Sequence, residues 1–154
     1  MIILGLDPGT KRAGFGLVNK EGGRLSFLAG GILKSFSENE SEILSEISKD
    51  LEKIIKEFKP GLASIEKLFF MKNKKTGLQV AEARGVLILT LKNNSVPFLE
   101  FSPTEIKSCL TGSGRADKKE VQKTVELILN KKIKGVDDIS DALAAAILAA
   151  NSRF

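Results

Sequence analysis

Ile2-Ile3-Leu4-Gly5-Leu6-Asp7-Pro8-Gly9-Thr10 decides the reading of this chain. A β-branched apolar run that meets Pro-Gly predicts a buried strand running into a turn. The strand ends on a carboxylate, and a lone buried carboxylate is costly unless a cation or donors compensate it. Asp7 is therefore expected to meet a metal or another cation and not to decorate a surface. Lys11-Arg12 follow, and then a second strand-like run, Ala13-Gly14-Phe15-Gly16-Leu17-Val18.

Working outward, three strands open the chain, at about 2–7, 13–19 and 24–33, with Glu21-Gly22-Gly23 as a hairpin turn between the second and third. Residues 40–58 carry Ile43, Ile47, Leu51, Ile54, Ile55 and Phe58 on one helical stripe, and Pro60-Gly61 ends it. Leu62-Ala63-Ser64-Ile65-Glu66 is a short buried strand that again terminates in an acid. A lysine-rich loop, a helix over about 75–93 and a fifth strand over 96–101 come next. Ser102-Pro103-Thr104-Glu105 is a capping box with proline at the first helical position. Its helix ends near Leu110, before Thr111-Gly112-Ser113-Gly114-Arg115. Asp117 caps a helix over 118–130, and the last helix covers about 138–151. Three strands followed by alternating helices and strands predict an α/β fold, a five-stranded mixed sheet with helices on its faces. A length of 154 residues suits one domain, 1–154.

Composition narrows the chemistry. Hydrophobic residues make up 42% of the chain, which argues against disorder, and no apolar stretch is long enough to span a bilayer. The apolar start is too short for a signal peptide, so a soluble cytoplasmic protein is expected. There is no histidine, which excludes imidazole bases, Ser-His-Asp and Cys-His triads, and His-ligated zinc. Cys109 is the single cysteine and is expected to be a small core residue. Charge is segregated: Glu38–Glu57 holds seven acids and three lysines, whereas Lys107–Lys134 holds eight basic residues and three acids. The loop Lys67–Lys75 carries four lysines and no acid. Such polarity suits one face for solvent and one for a polyanion.

The C-terminal ends of parallel neighbours share one sheet edge, so Asp7 and Glu66 are expected to meet there. Asp138 and Asp141, spaced i,i+3, lie on one face of the last helix in its first turn; acids also suit a helix N-terminus, so capping is the alternative for Asp138, less so for Asp141. The Ala-Leu-Ala-Ala-Ala-Ile that follows is apolar nearly all round, which predicts a buried helix whose start abuts the sheet edge. Asp137 is expected to point elsewhere. Four converging carboxylates repel one another and would coexist around divalent cations. Oxygen-only ligands favour Mg²⁺ or Mn²⁺. Two such ions about 4 Å apart suit in-line phosphodiester hydrolysis.

The sequence resembles the RuvC family of bacterial Holliday-junction resolvases, which are RNase H-like nucleases. The matching stretches are Ile3–Thr10 with Gly14-Phe15-Gly16, Ile65–Phe70 with Lys72-Asn73, Ala83-Arg84-Gly85-Val86, Ser102-Pro103 with Lys107, Gly112-Ser113-Gly114 through Lys118, and Asp138-Ile139-Ser140-Asp141-Ala142-Leu143-Ala144. They are collinear and cover essentially the whole chain. The resemblance implies an RNase H-like fold, catalytic metal-binding acids at Asp7, Glu66, Asp138 and Asp141, two Mg²⁺ ions with Mn²⁺ as a substitute, and a basic pair at Lys107 and Lys118. Some relatives carry histidine where this chain has Asp141, and Lys67 stands where glutamine is usual. It also implies four-way junction DNA as substrate, paired symmetric nicks, a homodimer, and work alongside the RuvA–RuvB branch-migration complex.

Arg115, Lys119 and Lys123 are expected to add contacts to the DNA backbone, which set affinity and not sequence. Gly112 and Gly114 would let the backbone approach DNA, or serve as a flexible connector. With no Trp or Tyr, phenylalanine is the only stacking platform. The resemblance favours Phe69 over Phe70 for stacking on an unpaired base at the junction; both in a core is the alternative. The helix over 75–93, with small Gly77, Ala81 and Gly85 and apolar Leu78, Val86 and Leu89, could pack on a two-fold mate or be buried against its own sheet. Competing functions are a YqgF-type ribonuclease, which shares the Leu-Asp-x-Gly-Thr-Lys-Arg opening, and a non-catalytic junction-binding module. A two-domain actin/hexokinase-type kinase does not fit in this length.

Overall fold

The computed structural model describes residues 1–68, 74–135 and 137–152. Strands β1 (Ile2–Pro8), β2 (Arg12–Glu21) and β3 (Arg24–Lys34) form an antiparallel meander. Gly22 and Gly23, with φ of 54° and 82°, make the two-residue turn between Glu21 and Arg24, in the left-handed conformations that suit a twisted hairpin. Helix α1 (Glu40–Phe58) crosses over to β4 (Leu62–Glu66), parallel to β1, and α2 (Lys74–Asn93) crosses to β5 (Phe98–Phe101), parallel to β4. The strand order is β3-β2-β1-β4-β5. Helices α3 (Pro103–Thr111), α4 (Lys118–Leu129) and α5 (Asp137–Asn151) complete the chain.

The sheet carries a core on each face. Leu4, Leu6, Leu17, Leu33, Ala63 and Ile65 pack against Ile43, Ile47 and Leu51 of α1 and Leu87 and Leu91 of α2. Ile3, Val18 and Leu62 pack on the other side against α5 and the Val121–Val125 stripe of α4. Because side chains alternate along a strand, Ile3, Gly5 and Asp7 face α5 while Leu4 and Leu6 face α1 and α2. This is the RNase H-like α/β arrangement expected, with helices on both faces.

Two local expectations are corrected. β5 begins at Phe98 and not at residue 96: Ser95 turns with φ of 57°, and the Val96 N–H is taken by the Leu91 carbonyl at the end of α2. Cys109 is exposed, not a core residue. α3 turns Ile106 inward, with Leu110 partly buried beside it, and Cys109 falls on the outer side of so short a helix. Among the described residues no helix is long and apolar enough to cross a membrane.

Candidate active site

The site begins with glycines. A Cβ built on Gly5 would lie 1.8 Å from the Ala142 carbonyl oxygen of α5, and one on Gly14 would lie 2.1 Å from that of Asp138. On Gly16 it would meet the Leu143 side chain at 2.6 Å. The β1–β2 surface is thus stripped of side chains where α5 crosses it, and α5 answers with alanines at 142, 145 and 146, all buried. Gly14 is the cross-strand partner of Asp7, so seating the Asp138 backbone on Gly14 delivers the start of α5 beside Asp7. Glu66 ends β4 one position beyond the Leu6–Ile65 pair, which aligns it with Asp7 at the same edge.

Asp7, Glu66 and Asp141 line one cavity of about 380 Å³ together with Lys107 of α3 and Lys118 of α4. Capping boxes at Ser102/Glu105 and Asp117/Glu120 fix where those two helices start, and so fix the two lysines. Burial pushes the Asp7 carboxyl up to about 8, with Asp141, Glu66 and Asp138 adding repulsion. Glu66 rises to about 7, again through burial first and then Asp141, while Lys118 and Lys107 oppose the shift. Asp141 is also raised, by burial, against the pull of Lys118. For Lys118, burial lowers the pKa, yet the facing Asp141, Asp137 and Asp7 outweigh it and the net shift is upward.

The four acids are not equivalent. Asp138 forms an ion pair with Arg12, Nε to Oδ2 2.7 Å. Lys118 Nζ sits 3.4 Å from Asp141 Oδ2 and 3.7 Å from Asp137 Oδ2, so Asp137, expected to point away, shares the same ammonium. Among the described residues no three acidic side chains are drawn together tightly enough to hold an ion as they stand. The protein's own cations answer two of them, while Asp7 and Glu66 keep a charge deficit that a hard divalent cation would relieve. The donor set is all oxygen, which fits Mg²⁺ or Mn²⁺.

Arg115, Lys119 and Lys123 are exposed and lie outside this cavity; Lys123 lines a separate one along α4 with Leu127 and Lys131. The two loop glycines have intramolecular reasons: Gly112 closes α3 with φ of 77°, and a Cβ on Gly114 would lie 2.6 Å from Thr104 Cγ2. Phe69 and Phe70 lie outside the described residues. Two arginines at the site carry no signal of their role in the sequence. Arg12 pairs with Asp138. Arg84, from α2, donates from Nε to the Glu66 carbonyl at 3.1 Å and pairs with Glu100 of β5, which anchors the end of β4.

A profile of the family "Crossover junction endodeoxyribonuclease RuvC" matches residues 3–149. The chain belongs to the RuvC family. It is 40% identical to the RuvC of Petrotoga mobilis, over 99% of this chain and 95% of that protein, and 46% identical to that of Prochlorococcus marinus strain MIT 9211, over 97% and 95%. Its fold superimposes on Thermus thermophilus RuvC with a TM-score of 0.88 at 30% identity, covering 97% of this chain and 93% of the other. For T. thermophilus RuvC in complex with a Holliday junction substrate the TM-score is 0.86 at 27% identity, with the same coverage. A crossover junction endodeoxyribonuclease is a nuclease and a hydrolase, and the RuvC match disfavours the ribonuclease and binding-module alternatives.

Proposed function

We propose that this chain, read as one nuclease domain over 1–154, resolves four-way DNA junctions by paired metal-dependent nicks. The observation that carries the reading is the delivery of α5 onto the glycine-lined sheet. It brings Asp141 into one cavity with Asp7, Glu66, Lys107 and Lys118, and sets Asp138 beside it. Asp7, Glu66, Asp138 and Asp141 would hold two Mg²⁺ ions, with Mn²⁺ as a substitute. When bound, such ions lower the pKa of the attacking water and neutralise charge on the leaving oxygen. Lys107 and Lys118, which line the same cavity, hold the scissile phosphate through charge-assisted hydrogen bonds. Lys118 exchanges Asp141 for that phosphate as DNA enters. Arg84 keeps the Glu66 backbone in place while the cavity fills. Attack in line leaves a 3′-hydroxyl and a 5′-phosphate.

Two matched nicks call for two matched sites, and α2 offers the surface for a two-fold dimer. Its inner face is buried through Val80, Ala83, Leu87 and Leu91, while Leu78 and Leu89 on the outer face are 63% and 59% exposed. Between them lie exposed Ala81 and Gly85, and a Cβ on Gly85 would meet open space. The 78-81-85-89 spacing is that of a helix–helix seam. Family likeness further supports Phe69 as a base-stacking residue, backbone contacts from Arg115, Lys119 and Lys123, a cytoplasmic setting and the RuvA–RuvB complex as partner.

The test is cleavage of a synthetic four-way junction with Mg²⁺ or with EDTA, for the wild type and Asp7→Asn. Symmetric nicks with Mg²⁺ alone, lost in Asp7→Asn while junction binding persists, are expected. Cleavage in EDTA, or full activity of Asp7→Asn, would sink the mechanism.

A further inference from the structure

One aromatic ring stands outside both cores. Phe36, in the segment between β3 and α1, is 83% exposed, and among the described residues it is the only aromatic one exposed to that degree. Leaving a phenylalanine in water forgoes burial that the other described rings obtain at least in part. Its position is informative. Lys34, the last residue of β3, is the cross-strand partner of Arg12, and residues directly opposite in an antiparallel pair share a face. Arg12 in turn holds Asp138 at the start of α5. Phe36 lies two residues beyond Lys34, and the Lys34 ammonium sits 4.5 Å from its ring centroid. Asp138, Arg12, Lys34 and Phe36 thus form one continuous row that leaves the active-site edge on the α5 side of the sheet.

The acids that follow do not share this row. Glu38 and Glu40 line a cavity with Lys11, Ile43 and Gln79 on the α1–α2 side. Two cations and an exposed ring, contiguous with a phosphodiester-cleaving site, match a nucleic-acid strand: phosphates for the cations, a base or sugar face for the ring.

We propose that Lys34 and Phe36, reached through Arg12, form a second DNA contact that tracks the strand as it leaves the cleavage site, with Lys34 on a phosphate and Phe36 against a nucleobase. This rests on the junction-resolving reading. It lies outside the cavity that holds Lys107 and Lys118, so the DNA would be held at two separate places around the scissile phosphate.

The chain has no tryptophan, so Phe36→Trp places a single reporter at the site. The experiment titrates this variant with a four-way junction in Ca²⁺, following tryptophan emission and junction anisotropy together, and compares Phe36→Ala and Lys34→Ala. Emission is expected to change at least about twofold, in step with binding. Phe36→Ala should weaken junction binding about five- to tenfold or more, and Lys34→Ala should lower the salt slope of binding by about one phosphate contact. Unchanged emission at saturation, while the wild type still nicks the junction in Mg²⁺, overturns this contact alone. Emission that follows protein concentration without DNA assigns the ring to a contact between copies and overturns it too. A wild type that nicks no junction overturns the resolvase reading, and this inference with it.

Discussion

The two faces of the sheet solve different problems. On the α1–α2 side, Leu4, Leu6, Leu17, Ile47, Leu51 and Leu87 interlock as large aliphatic side chains, the usual way to remove apolar area from water. On the α5 side, where Gly5 and Gly14 meet Ala142 and Asp138, the strands contribute glycine and backbone meets backbone, with Ile3, Val18 and Leu143 packed beside this seat. The first face makes the fold stable. The second sets the depth and rotation of one helix, and the cavity acids depend on both. A substitution on one face should therefore cost stability and spare the site, while one on the other should cost the site as well.

The largest effect is expected for Asp7→Asn. Removing one acid of a metal-assisted site forfeits several kcal/mol of transition-state stabilisation, about 10³-fold in rate, with junction affinity retained by anisotropy. Next, Leu51→Ala on the α1–α2 side should destabilise the fold by about 2–5 kcal/mol, yet folded protein at low temperature should cleave at close to the wild-type rate. Gly14→Ala sharpens the contrast. Its Cβ would strike the Asp138 backbone, so a destabilisation of about 1–3 kcal/mol should come with a loss of cleavage far beyond the fraction unfolded. Equal losses in both variants, measured per folded molecule, would remove the distinction between the faces.

A smaller effect is expected from pH. In EDTA, the native protein keeps protons on Asp7, up to about 8, and on Glu66, up to about 7, that the unfolded chain releases near 3.8 and 4.5. Between those limits the folded state binds more protons, so stability falls as pH rises from about 4 to 8 and levels off above. The melting temperature should follow, by about 2–4 °C for each kcal/mol. Adding Mg²⁺ should reverse the fall, and Asp7→Asn should flatten it. The smallest effect on stability is predicted for Leu89→Lys, within about 0.5 kcal/mol for an exposed site, with sedimentation moving from the proposed dimer to monomer.

Much of this was legible in the chain itself. The strand ending in Asp7, the strand ending in Glu66 and the i,i+3 acids of α5 each follow from local pattern, and the hairpin at Gly22-Gly23 and both capping boxes are local signals too. What sequence hides is the meeting of distant backbones. Gly5, Gly14 and Gly16 read as weak points of two strands, because the reason for them lies in α5, more than a hundred residues on. The Arg12–Asp138 pair and the Arg84 anchor are hidden for the same reason: an arginine carries no sign of which acid or carbonyl it will reach. Cys109 departs from its expected place because α3 has room for only one buried turn, whereas composition alone places cysteine inside.

The backbone seat of α5 has a dynamic consequence. Glycine and alanine have no rotamers to exchange, so this contact lacks the soft side-chain motions of an ordinary core. The glycine Cα–H groups of β1 and β2 face the Ala142 and Asp138 carbonyl oxygens closely enough to act as weak donors. The start of α5 is thereby tied to the strand that carries Asp7. Amides in the first half of α5 and in β1 should open together and be among the slowest to exchange with solvent, so that the acids contributed by two distant stretches of chain move as one body.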